Sequence, residues 1–170
     1  MNETLITNWN KTVHKNDNVF ILGDFCWAKE DRWIDLLSVL KGIKTLIKGN
    51  HDLKQMSNKL KNCFADIKEY KEITDKNRKV ILCHYPILCY KNSYNPNTYM
   101  LFGHVHNKTN ESFLIQKWIK ELKLNNTEDA PYYINKANLY NVGSMMPYMN
   151  YTPQTLDTII QQSESECTYE

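Results

Sequence analysis

Apolar residues change their period several times along the chain, and each change marks an element. Leu5, Ile6, Trp9 and Val13 recur at helical spacing and predict an amphipathic helix over residues 2–15. Residues 18–22 form a short β-branched and aromatic run closed by Gly23, which reads as a buried strand. Helical spacing returns over 30–40, with Trp33, Leu36, Leu37 and Leu40 on one stripe and Gly42 just past its end. Further strands are predicted at 45–48, 67–73, 79–82, 99–102 and 139–142, with Asp75-Lys76-Asn77 as a turn. Helices are predicted at 53–63, at 111–124 through Phe113, Leu114, Trp118, Ile119 and Leu122, and at 155–160. Residues 125–131 read as a polar loop, and 161–170 as a polar, acidic tail that frays. Strands and helices alternate, so the class is α/β, with one domain over 1–160 followed by that tail.

The polar residues fall at the ends of the strands. Four words follow apolar runs: Gly23-Asp24-Phe25, Gly49-Asn50-His51-Asp52, Cys83-His84-Tyr85-Pro86 and Gly103-His104-Val105-His106. Of the five histidines only His14 lies outside them. In open α/β sheets the ligand crevice lies at the carboxyl ends of strands. Loops from four strands are therefore expected to bring Asp24, Asn50, His84, His104 and His106 together. A carboxylate, an amide oxygen and imidazoles make a mixed oxygen and nitrogen shell suited to Mn²⁺, Fe or Zn²⁺. His104 and His106 share a face if their segment is extended, and can then serve neighbouring ions. Two ions about 3.5–4 Å apart clamp both the attacking and the leaving oxygen of a phosphoryl displacement.

In this order the words resemble those of the calcineurin-like metallophosphoesterases, over about residues 3–160. Asn141-Val142-Gly143 through Tyr151-Thr152-Pro153 is similar to the late stretch of small bacterial and phage members. The resemblance implies a four-layer α/β/β/α sandwich of two mixed sheets. It implies a phosphomonoesterase or phosphodiesterase with two divalent ions, Mn²⁺ first and Fe or Zn²⁺ as alternatives, and a metal-bound hydroxide as nucleophile. Carried over, it makes Asp24 the bridging ligand, with Asn50, His84 and His104 completing one metal site and His106 serving the other. His51 would contact the phosphate with Asn50 and protonate the leaving oxygen, while Asp52 orients and charges its ring. The family's opening D-x-H word has no counterpart before Asp24. The expectation is a domain that begins late, holds its second ion weakly and turns over slowly, with strand 18–22 as an open edge. Two rival readings follow: a metal-binding scaffold module without catalysis, and, among enzymes, a nuclease.

Composition adds limits. The 170 residues are 42% apolar and 24% charged, enough to build one core. A formal net charge of +2 gives no electrostatic case for an anionic membrane, and admits nucleic acid only as substrate. There is no secretory start and no apolar run of about 20 residues, so a cytoplasmic protein is expected. Five cysteines without a C-x-x-C pair read as reduced thiols, with Cys26 near enough to Asp24 to face the pocket. Trp27 follows Asp24 closely enough to wall a substrate pocket but is expected to pack in the core, and the stretch around Tyr85, Tyr90, Tyr94 and Tyr99 is a candidate cover for the site.

Overall fold

Neighbouring residues of the central strands bury themselves in different apolar layers, which requires two sheets stacked face to face. The computed structural model describes residues 2–124 and 138–166. Strands β1 (Asn18–Ile21), β2 (Ile43–Ile47) and β3 (Asp66–Lys68) form a parallel sheet in the order β1-β2-β3. Strands β4 (Tyr70–Asp75), β5 (Arg78–Cys83), β6 (Thr98–Phe102) and β7 (Leu139–Asn141) form a second sheet in chain order. In it β4 and β5 are antiparallel and the other pairs parallel.

Ile47, Leu22, Val80, Leu82 and Leu101 meet between the two sheets. Their sequence neighbours point outward. Leu46 joins Trp33, Leu37, Leu60 and Phe64 under helices α2 (Glu30–Val39) and α3 (Asn58–Lys61). Ile81, Cys83, Met100 and Phe102 pack with Ile115, Trp118 and Ile119 of α4 (Asn110–Leu124). The layers run helix, sheet, sheet, helix, as the resemblance implies, although the three-stranded sheet is wholly parallel rather than mixed. Trp33, with no exposed surface and its indole N–H on the Cys26 carbonyl, anchors the first layer. Truncating it to alanine is expected to cost about 3–5 kcal/mol.

Helix α1 (Asn2–Thr12) docks on the turn between α2 and β2, where Trp9 Nε1 donates to the Lys41 carbonyl at 2.9 Å. Helix α5 (Leu156–Glu166) closes the gap between the sheets with Leu156 and Ile160. Thr155 Oγ1 caps its start by accepting from Thr158 N. Asp157 in its first turn pairs with Lys76 and Arg78 on the β4–β5 hairpin.

Several elements differ from expectation. The helix predicted over 53–63 shrinks to α3, because Ser57 caps it there, its Oγ accepting from Leu60 N while its own N–H goes to Glu30. The run 67–73 is two strands: the chain leaves one sheet at Lys68 and enters the other at Tyr70, with Glu69 alone between. Residues 161–166, expected to fray, are helical. On α4, Phe113 and Leu114 face solvent and Ser112 is buried, so the packing stripe is rotated from the predicted one. Residues 125–131, Cys167 and the last residues of the expected tail lie outside the described residues.

Candidate metal centre

Strands β1, β2, β5 and β6 run the same way and release their polar words at one end of the sandwich. Ligand atoms of Asp24, His84 and His104 all lie within 4.8 Å of one another. Asn50 joins them, its Oδ1 being 3.0 Å from His84 Nε2. Asp24 Oδ2 is 3.5 Å from the same nitrogen. His106 is exposed and stands outside this mutually close set.

His84 is the pivot. It is 1% exposed, and its Nδ1 lies 2.7 Å from the Leu22 carbonyl. A carbonyl can only accept, so Nδ1 carries a proton, and Nε2 is the ring atom turned toward Asn50 Oδ1 and Asp24 Oδ2. Two oxygens converging on one ring nitrogen can share either a proton on that nitrogen or a cation placed among the three atoms. The donor set and the protonated Nδ1 fit a divalent ion, since a ligating histidine commonly donates its other N–H to a carbonyl.

The backbone is bent to make room. Asp24 (φ 51°) and His104 (φ 58°) both adopt the left-handed conformation, unusual for residues with a β-carbon and common where function demands it. Gly49 has no space for a side chain, because a β-carbon would overlap the Asp24 carboxylate and approach His84 Cε1 to 2.8 Å. Gly23, at φ 82°, is equally confined, its would-be β-carbon 2.6 Å from Gly49 N.

Asp52 is 4% exposed and uses its carboxylate on backbone. Its Oδ1 accepts from Phe25 N at 2.9 Å and its Oδ2 from Gly49 N at 2.8 Å, tying the loop after β1 to the loop after β2. That arrangement makes it a staple between the loops, a role not foreseen for it in the sequence. His51 N donates to Asp24 Oδ1 at 2.9 Å, so the Asp24 carboxylate anchors the same loop. The His51 ring lies against Trp27 instead, with centroids 4.1 Å apart and planes inclined by 29°.

One residue that shapes the site was given no role from sequence. Asn141, buried at the end of β7, donates to the Val105 carbonyl at 2.6 Å and accepts from Gly143 N, fixing the loop that carries His104 and His106. Its position at a strand end before glycine was the available signal. Trp27, expected in the core, is 74% exposed. Tyr85, 46% exposed, sets its ring 4.7 Å from that of His104, whereas Tyr90 is buried beneath. Cys26 is half-buried, packed beside Trp33 while also lining the hollow next to His51, and burial pushes its thiol up, which disfavours a metal thiolate.

A model of the calcineurin-like phosphoesterase family matches residues 2–147. The chain is 28% identical over 166 residues to the uncharacterized protein MJ1445 of Methanocaldococcus jannaschii, spanning 96% of this chain and 76% of that one. The crystal structure of the protein of unknown function AQ665 from Aquifex aeolicus superposes with a TM-score of 0.64 at 23% identity. That match covers 94% of this chain and 83% of the other, and at such identity it speaks for the fold. The chain belongs to the calcineurin-like phosphoesterase family, whose general chemistry is metal-dependent hydrolysis of phosphate esters.

Proposed function

We propose that this protein hydrolyses phosphomonoesters or phosphodiesters with divalent ions, Mn²⁺ foremost, held at the carboxyl ends of the strands. The observation that carries this reading is the convergence of Asp24, Asn50, His84 and His104 around His84 Nε2. Asp24, Asn50, His84 and His104 would hold one ion, with Asp24 shared and His106 serving a second. Bound ions would neutralise phosphoryl charge and lower the pKa of the attacking water. The remaining work belongs to the chain. The Asn50 amide and the His51 ring face solvent beside the cluster, where they bind and orient the phosphoryl group. His51 delivers a proton to the departing oxygen. Asp52 keeps the two loops in register while this happens. Among the described residues no helix is long and apolar enough to cross a membrane, and nothing in the site calls for a lipid surface.

The test is hydrolysis of a panel of chromogenic mono- and diesters by the purified chain after removal of metal and readdition of Mn²⁺, Fe²⁺ or Zn²⁺. Turnover that appears with added ion and vanishes with chelator is expected. A protein that takes up ions yet cleaves no ester would instead be the scaffold module.

A further inference from the structure

Beside the cluster lies a shallow depression of about 450 Å³, lined by Cys26, Trp27, Ala28, Lys29, His51 and Leu53. It is open to solvent, so a ligand there would rest against one wall and not be enclosed. One face of the Trp27 indole rests on the His51 ring, yet 74% of the residue remains exposed. The indole therefore contributes little to the core. Trp33, six positions on, shows what a packing tryptophan of this chain looks like. An indole is a rigid plane that binds other planes by stacking, with little conformational entropy lost.

Its location ties it to one part of the substrate. If His51 protonates the departing oxygen, as proposed above, the organic group attached to that oxygen emerges along the His51 side of the site. Trp27 occupies that side, and Lys29 stands with it. At His104 the cluster is bordered by a different aromatic ring, that of Tyr85. We infer that Trp27 is a specificity-determining residue and that the site prefers phosphate esters whose organic group carries a planar aromatic ring, a nucleobase or an aryl group, stacked on the indole. This inference rests on the hydrolase reading and names the substrate class for that site.

Matched pairs test it. Adenosine monophosphate and ribose phosphate, esterified at the same primary hydroxyl, leave through the same oxygen and differ only in the base. Benzyl phosphate and butyl phosphate form a parallel aryl pair. In the metal-loaded protein the aromatic member of a pair is expected to be favoured about 10- to 100-fold in kcat/KM, the usual reach of base–aromatic stacking. Trp27→Ala should bring the ratio close to unity and Trp27→Phe should keep much of it, with an unchanged melting temperature in both. Preference in the adenosine pair alone narrows the class to nucleotides; preference in both extends it to aryl esters. Calorimetric binding of non-hydrolysable phosphonate analogues of the same pairs gives a readout independent of turnover. Equal binding and equal hydrolysis within each pair would overturn the inference while leaving the hydrolase intact. So would Trp27→Ala slowing both members of a pair alike, the mark of a residue that only steadies His51. Failure to cleave any ester sinks the hydrolase reading, and the analogues then still decide whether Trp27 selects planar ligands.

Discussion

The two sheets contribute different things to one centre. The three-stranded sheet sends Asp24 and Asn50, both oxygen donors, together with His51, on loops where Asn50 and His51 are exposed. The four-stranded sheet sends the nitrogen donors His84 and His104, the first buried and the second half-buried behind Tyr85. The lesson is a division of labour. On the proposed reading the nitrogen side would fix where a cation sits, and the more exposed oxygen side would meet the substrate. The join is narrow: His84 Nδ1 donates to the Leu22 carbonyl, and a β-carbon on Gly103 would come within 2.7 Å of the same oxygen.

Removing the pivot should do most damage. His84→Ala takes away a ligand and leaves the buried Leu22 carbonyl without its donor, a cost of about 1–3 kcal/mol. Metal affinity should fall more than about 100-fold, beyond the range for losing an outer hydrogen-bond partner. Calorimetric titration with Mn²⁺ together with a melting curve checks both. On the oxygen side, His51→Ala should slow turnover of poor leaving groups about 100- to 10,000-fold while Mn²⁺ raises the melting temperature as in the parent. Equal loss of ion binding would place His51 among the ligands.

Asp52→Asn tests the staple. The amide keeps the size but offers only one acceptor for two backbone donors, so about 1–3 kcal/mol of stability should disappear. If holding the loops is its whole task, the pH dependence of turnover should stay as in the parent; a shifted profile would give the carboxylate the ring-orienting role as well.

The smallest effect is expected far from the site. Hydrogen bonds from Lys76 and then Arg78 hold the Asp157 carboxyl below the ordinary aspartate value of 3.8. A lowered folded-state pKa stabilises the fold above that value, and the contribution fades as pH drops through the folded value. Asp157→Asn should therefore melt slightly earlier at neutral pH, with the gap closing in acid. The pair is solvent-exposed, so the shift will be modest.

Much of this was legible in the sequence, for identifiable reasons. Unbroken apolar runs at 80–82 and 99–102, the mark of strands buried on both faces, and glycines placed before Asp24, Asn50 and His104 reflect local constraints that one chain segment displays by itself. What stayed hidden depends on partners distant in sequence. Asp52 sits next to His51, yet its hydrogen bonds reach back to Phe25, across 27 positions. Trp27 shares its residue type with Trp33, and only the turn after Asp24 decides that one is buried and the other bare. The run 67–73 reads as one continuous strand, and nothing local announces that it changes sheets at Glu69.

That change of sheets sets a limit on how the molecule can come apart. With one residue as the splice, the layers cannot slide past each other without tearing pairing on both sides of it. Any opening must hinge there and spread at the far strands, which separates the oxygen donors from the imidazoles. A cation spanning them would act as a rivet, and its release rate would then time the first parting of the sandwich.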